Sequence, residues 1–299
     1  MKWSNEAELE SIRAQMEQRT VTLPDGTILP AIGQGTWHMG ENPAQFEQEV
    51  QALQLGLEVG MRVVDTAEMY GNGAAEQVVG EAIKGRRENA FLVSKVFPHN
   101  AGLTNIKRAC ENSLQRLGIE QLDMYLLHWR GGVPLEETVE GMEQLKQEGK
   151  IARWGVSNLD LSDMKELQEA DKADECMTNQ VLYHLGSRGI EYDLLPWQQT
   201  QDMPIMAYCP LAQAGRLRKK LVNSAEVQAI ADTYQVSSYQ VLLAWVLRKR
   251  QILAIPKASQ ADHVLQNAKT ASLQLDAEDI KRLDEAFPPP SSKQPLDIV

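Results

Sequence analysis

Eight short apolar runs recur along the chain, each followed by a longer amphipathic segment, and this alternation constrains the fold more than any other feature. The runs lie at residues 33–37, 62–65, 90–95, 124–128, 152–156, 177–180, 204–208 and 253–255. The segments between them carry helical periodicity. Phe46, Val50, Leu53 and Leu57 share one helical face, and a similar stripe through Leu114 and Leu117 ends at Gly118. Strands that alternate with helices pair in parallel, because each return crossing takes a helix. Eight such units with no shift in composition predict an α/β fold, a closed (β/α)8 TIM barrel, with residues 21–299 as a single domain. An open doubly wound sheet is the alternative. Against it, the first strand-to-helix turn, GQGTWHMG, lacks the G-x-G-x-x-G spacing.

The flanking segments follow from local signals. Residues 21–33, VTLPDGTILPAIG, place Asp25-Gly26 between two β-prone runs, a hairpin signature. Residues 1–20 form an N-terminal extension that reads as a short charged helix and lacks the apolar stretch of a secretory signal. Residues 211–250 are too long for one connection, so extra helices are expected there. A last helix over residues 276–287 is stopped by three consecutive prolines. The tail SSKQPLDIV has no usable period.

Charge narrows the function. A formal net charge of −11 disfavours nucleic acid and anionic membrane as partners, since both require concentrated positive charge. No apolar run approaches the ~18 residues of a membrane span. The 3 cysteines, Cys110, Cys176 and Cys209, are isolated, so no metal site is expected and free thiols in a reducing cytoplasm are the default.

In a parallel barrel the active site forms at the C-terminal ends of the strands. The second run delivers Asp65, with Tyr70 just beyond it, the third delivers Lys95, and the fourth delivers His128 and Trp129. The first delivers Trp37, the fifth Ser157 and Asn158, the sixth Asn179 and Gln180, the seventh Tyr208, and the eighth Lys257 and Ser259. Singly, each has an ordinary structural use as a cap, a surface lysine or a loop anchor. On neighbouring strands they form a chemical set. A phenol with a pKa of about 10 is a weak proton donor near neutrality, and a nearby ammonium is expected to lower that value. Lys95 supplies the ammonium, Asp65 holds it, and His128 can orient a carbonyl oxygen. No Ser–His or Cys–His arrangement offers a nucleophile, so a hydride from a nicotinamide is the expected attacking group. Asn158 and Gln180 suit its carboxamide, and Tyr208 offers a stacking face. Lys257 and Ser259 precede a helix starting near Gln260, a phosphate site that favours NADPH.

From residue 21 to residue 287 the chain resembles the aldo-keto reductase family, through DTAEMYGN, SKV, LLHW, GVSN, NQVLYH, AYCPL and IPKAS in order. The resemblance implies a catalytic tetrad of Asp65, Tyr70, Lys95 and His128, with Tyr70 as general acid. It also implies NADPH extended across the barrel mouth, with Thr36, Trp37 and Asp65 beside it. Ser157, Asn158 and Gln180 would hold the carboxamide, and Tyr208 would stack on the ring. Cys209, Pro210, Leu211, Gln213 and Gly215 belong to a stretch expected to fold over the pyrophosphate. Ile255, Pro256, Lys257, Ala258 and Ser259 would take the 2′-phosphate region, with His263, Gln266 and Asn267 further along. Trp37, Tyr70, His128 and Trp129 would form the substrate pocket.

Two departures bear on this assignment. His263 stands where the family often has an arginine, and Gln266-Asn267 replaces a Glu-Asn pair. The short WRGGVPLEET loop and short tail imply an open pocket. Within the family the chain is most similar to bacterial reductases of methylglyoxal and other small aldehydes, and a cytoplasmic monomer acting on a small carbonyl is expected. Two other classes compete: a non-catalytic nicotinamide sensor on the same fold, and a Schiff-base aldolase using Lys95.

Overall fold

The computed structural model describes residues 6–299. Its centre is a barrel of eight parallel strands: β3 (Gln34–Gly35), β4 (Val63–Asp65), β5 (Phe91–Val96), β6 (Met124–Leu127), β7 (Trp154–Ser157), β8 (Cys176–Leu182), β9 (Ile205–Tyr208) and β10 (Ile252–Ile255). Neighbours in sequence are neighbours in space, and bridges Ile32–Ala254 and Gly35–Lys257 join the two edges. Gly35 permits that closure, because a Cβ there would lie 2.7 Å from the Ile255 carbonyl oxygen. The predicted barrel is therefore present and the open sheet is not. The expected strand positions hold to within a few residues; the first is the shortest, leaving Thr36 and Trp37 in the loop beyond it.

The hairpin forms from β1 (Thr20–Thr22) and β2 (Ile28–Pro30), with Gly26 at φ 86° in the turn. It lies across the N-terminal ends of the barrel strands. Arg153, just before β7, binds Asp25 and Thr27, and Gln251, just before β10, exchanges two hydrogen bonds with Thr22. With this floor closed, ligands enter from the opposite end.

Helices cover the outside. The first is α1 (Glu6–Gln18); α2 (Phe46–Glu58), α3 (Ala74–Ile83), α4 (Ile106–Leu117), α5 (Leu135–Gln147), α6 (Leu161–Leu167) and α7 (Leu194–Thr200) each follow a strand. Between β9 and β10 lie the expected extra helices α8 (Arg216–Val222), α9 (Ala225–Tyr234) and α10 (Ser238–Val246), and α11 (Ala261–Lys269) and α12 (Ala277–Ala286) close the chain. In α2, Val50, Leu53 and Leu57 are buried as the periodicity requires, and α4 ends on Gly118 at φ 67°. Helix α1 is docked: Leu9, Ile12 and Met16 are buried, and Arg13 donates to the Glu58 carbonyl at the end of α2.

Candidate active site

Strand β4 ends on Asp65 and β5 carries Lys95 one strand away, so parallel register places their side chains together at the mouth. Lys95 Nζ donates to Asp65 Oδ2 at 2.7 Å, to the Thr66 carbonyl at 2.9 Å and to the Tyr70 hydroxyl at 3.1 Å. Lys95 has no exposed surface. Burial pushes the Asp65 carboxyl up and the Lys95 ammonium down, and each partner opposes the other's shift. Gln180 Nε2 donates to Asp65 Oδ1 at 2.7 Å, so both carboxylate oxygens are engaged.

Tyr70 reaches this pair from the loop after β4. Its phenol is pushed well above the ordinary value, first by burial and then by the negative charge of Asp65. That overturns the expectation that Lys95 leaves Tyr70 more acidic at rest. Lys95 belongs to an ion pair, so its field at the hydroxyl is offset by the carboxylate. The resting phenol is thereby held protonated, as a proton donor must be. His128 sits beside it, with ring centroids 5.6 Å apart. Burial, and then Lys95, push the imidazole down to about 2, so His128 is neutral, and its Nδ1 has no partner among the described residues.

Residues at the end of β7, just after it, and on β8 and β9 form a second network. Ser157 Oγ donates to the Gln180 carbonyl at 2.8 Å, and Asn158 Nδ2 donates to the His128 carbonyl at 3.1 Å. The Tyr208 hydroxyl donates to Asn158 Oδ1 at 2.9 Å. Gln180 thus ties these three residues to the Asp65–Lys95 pair.

Two cavities meet at Trp37, Tyr70 and Tyr208. The first, about 340 Å³, is walled by Trp37, Met69, Tyr70, His128 and Trp129, with Ser157, Asn158 and Gln180 at its side. The second, about 480 Å³, is a groove running from Tyr70 and Asp65 past Thr36 and Cys209–Pro210–Leu211 to Ile255, Pro256 and Lys257. Gln213 lines it and Gly215 does not. Larger clefts of about 720 and 870 Å³ lie at the hairpin end and contain none of these groups.

The far end of the groove only partly follows the sequence reading. Lys257 lies on it, and Lys257 Nζ is 3.4 Å from Ser259 Oγ. Ala258 and Ser259 lie just beyond, and His263 is exposed on α11. Gln266 is turned elsewhere: it accepts from Ser237 Oγ and lines a different cleft with Tyr234, while Asn267 is buried. Neither is among the residues lining the groove, and Gln266 faces the start of α10 through Ser237. Arg130, next to Trp129 in the chain, is paired with Glu166 through two 2.8 Å bonds and does not line the pocket.

Several lining residues had gone unread. Ile298 and Val299 wall the pocket, so the short tail does not leave it open on that side. The tail is moored by Lys293 on Asp160 and Asp193 and by Ser187 on Asp297. An apolar pair ending a polar tail was the available signal. Met69, His38 and Arg218 were likewise passed over.

A group of NADPH's chemistry fits this groove. Where it meets the pocket, Tyr208 offers an aromatic face and Asn158 and Gln180 of the pocket offer amides, and its outer end offers Lys257 without an ion-pair partner among the described residues. A proton donor at the inner end of a nucleotide-sized groove defines an oxidoreductase of the parallel-barrel class. Comparison with known proteins gives the family. Residues 31–287 match the model of the aldo/keto reductase family. The methylglyoxal reductase YeaE of Escherichia coli is 55% identical over 284 residues, covering 95% of this chain and 100% of that protein. The glyoxal reductase of Bacillus subtilis is 32% identical, covering 89% and 91%. A Klebsiella pneumoniae aldo/keto reductase, crystallised with NADP and acetate and separately with NADPH, superposes with a TM-score of 0.92 at 55% identity, covering 94% of this chain and 99% of that one. The chain belongs to the aldo/keto reductase family, and it is an NADP-dependent oxidoreductase.

Proposed function

We propose that this protein reduces small aldehydes of the methylglyoxal type to alcohols with NADPH, using Tyr70 as the general acid. The observation that carries the assignment is the single Lys95 ammonium shared between Asp65 and the Tyr70 hydroxyl at the wall of the pocket. NADPH, when bound, supplies the hydride that adds to the carbonyl carbon. The protein supplies the rest. The neutral His128 imidazole donates one N–H toward the carbonyl oxygen and orients it. Tyr70 delivers its proton to that oxygen as negative charge builds there. Lys95 then stabilises the phenolate through its existing hydrogen bond, and Asp65 keeps Lys95 charged and in place.

The pocket supports a small, neutral substrate. It is about 340 Å³, and its walls are Trp37, Met69, Trp129, Ile298 and Val299. No arginine is among its lining residues, and Arg130, next to Trp129 in the chain, is already paired with Glu166 and Asp163. The names of the reductases similar to this chain point to the same substrate class.

For the cofactor, Ser157, Asn158 and Gln180 are the proposed carboxamide ligands, Tyr208 the stacking face, and Lys257 with Ser259 the 2′-phosphate site. The Schiff-base alternative finds no support: all three N–H bonds of Lys95 are engaged and the amine has no exposed surface. Residues 21–299 are read as one domain of a cytoplasmic monomer. Cys110 and Cys176 are buried free thiols, and no described helix is long and apolar enough to cross a membrane.

The test is NADPH oxidation with methylglyoxal by the native protein and by Tyr70→Phe. The variant should lose roughly 10²–10⁴-fold in kcat and keep cofactor affinity. Full activity in Tyr70→Phe would remove Tyr70 as the acid. Tight NADPH binding with no turnover on any small aldehyde would leave the sensor reading instead.

A further inference from the structure

The loop that carries Tyr70 is held mainly from one side. Past Tyr70 the chain runs through Gly71, Asn72 and Gly73 at φ 56°, 53° and 90°, left-handed residues in a row before α3 begins. Two of them are glycines, whose backbone is the least restricted, so the hold on Tyr70 must come largely from the residues before it. Those residues are strapped to β5. Thr66 N donates to the Val93 carbonyl at 2.8 Å, Lys95 Nζ donates to the Thr66 carbonyl, and Glu68 N reaches the Lys95 carbonyl at 3.4 Å. The Glu68 side chain carries the strap beyond the end of the strand. Its Oε1 accepts from Phe97 N at 2.6 Å and from Asn100 Nδ2 at 3.2 Å, both in the segment that follows β5.

Both ends of this contact bear on the site. Glu68 stands two residues before Tyr70, with Met69 of the pocket wall between them. Phe97 packs its ring edge-on against Trp129, which also walls the pocket, with centroids 5.0 Å apart. One carboxylate oxygen therefore ties the loop of the proton donor to a support of the pocket wall. Glu68 itself lines neither cavity, and no cation pairs with it among the described residues. The groups whose charges bear on the phenol and the ammonium are others: Asp65, Cys209 and Tyr208 for Tyr70, and Asp65 and Glu76 for Lys95. Within DTAEMYGN, Glu68 was given no role by the sequence reading.

We propose that Glu68 is a positioning residue that fixes Tyr70 for proton transfer, and that it does so by hydrogen bonding and not by its charge. This rests on the reading of Tyr70 as the general acid. The phenol must reach the same carbonyl oxygen that His128 orients, and a misplacement of about 1 Å costs roughly 10²-fold in rate. Two substitutions separate the properties of the carboxylate. Glu68→Gln removes the charge and keeps an oxygen for the Phe97 and Asn100 donors. Its new NH2 takes the place of Oε2, which accepts no hydrogen bond among the described residues. Glu68→Asp keeps the charge and draws the oxygens back by one methylene, away from both donors.

The test is steady-state methylglyoxal reduction by the native protein, Glu68→Ala, Glu68→Asp and Glu68→Gln, with kcat counted per NADPH site found by fluorescence titration. Glu68→Ala and Glu68→Asp should lose roughly 10- to 100-fold in kcat per site, with a smaller change in KM and native affinity for NADPH. Glu68→Gln should recover most of that loss. Activity of Glu68→Ala within twofold of native would overturn the proposal. So would Glu68→Gln as impaired as Glu68→Ala, or Glu68→Asp as active as the native protein, since either makes charge the operative property. A fall in activity matched by the fall in NADPH sites would reduce Glu68 to a role in folding and overturn it too. If Glu68→Ala does not fold, the contrast between Glu68→Asp and Glu68→Gln decides alone. The control is Tyr70→Phe. If that variant keeps full activity, or if the native protein reduces no small aldehyde, the reading of Tyr70 falls first and this one with it.

Discussion

Asp65→Asn tests the buried ion pair with almost no change in shape. The carboxylate accepts from Lys95 on Oδ2 and from Gln180 on Oδ1, each at 2.7 Å. An asparagine has one acceptor oxygen and one NH2 group. Placed toward Lys95, the oxygen leaves the new NH2 facing the Gln180 donor. Placed toward Gln180, it leaves the NH2 facing an ammonium. Rotating the Gln180 amide does not help, because its oxygen would then meet Met206 Sδ, now 2.8 Å from Nε2. The variant therefore buries an unpaired cation, at a cost of about 3–5 kcal/mol. For a chain of this size that is a fall in Tm of roughly 5–8 °C. Burial already depresses the Lys95 ammonium, and Asp65 is the main force holding it up. Without Asp65 the amine loses its proton more easily, and Tyr70 loses the charge that receives its phenolate. Turnover should drop by roughly 10²–10⁴-fold.

The pH dependence supplies a signature. Lowering the pH should recover activity in Asp65→Asn as Lys95 is protonated again. Stability should move the other way. A lysine with a depressed folded value binds fewer protons folded than unfolded, so between the two values stability rises with pH, by up to about 1.4 kcal/mol per unit. The assays are steady-state NADPH oxidation and thermal unfolding across the same pH series. A variant as stable and active as the native protein, with parallel pH trends, would refute the view that Asp65 maintains a catalytic ammonium.

Other consequences are simpler to check. His128, pushed down to about 2, stays neutral throughout the working range, so the kcat/KM profile between about pH 5 and 8 should contain no ionisation that His128→Gln removes. Deleting Ile298 and Val299 should raise KM for methylglyoxal and improve turnover of bulkier aldehydes relative to it, because both residues wall the pocket. Arg130→Ala should change KM less than about twofold, since its charge is matched by Glu166 and Asp163. Gly80→Ala should destabilise by about 1–3 kcal/mol in a denaturant titration, because its Cβ would lie 2.8 Å from the Leu117 carbonyl where α3 crosses α4.

What the sequence disclosed and what it withheld follow one physical division. The barrel and the positions of Asp65, Lys95 and His128 were readable because both depend on local pattern: a strand ends, a polar residue stands there, and parallel register brings successive ends together. The resting state of Tyr70 was misjudged because it depends first on burial and then on the charge of Asp65, and only the geometry shows both. Gln180 was assigned to a carboxamide alone. Its bond to Asp65 spans 115 residues and has no periodic trace. The mooring of the tail was unreadable for the same reason, since it joins Ser187 to Asp297 across 110 positions. Gln266 shows the opposite case. A motif position suggested the groove, but helix α11 presents that side chain to Ser237, and the rotation of a helix is set by what it packs against. Arg218 combines both difficulties: one charge in a basic run faces inward because a turn of two left-handed residues offers it a carbonyl. Sequence patterns therefore located the strand-end groups of this enzyme, while the contacts that set their charge states, close the groove and wall the pocket came from pairings between distant segments.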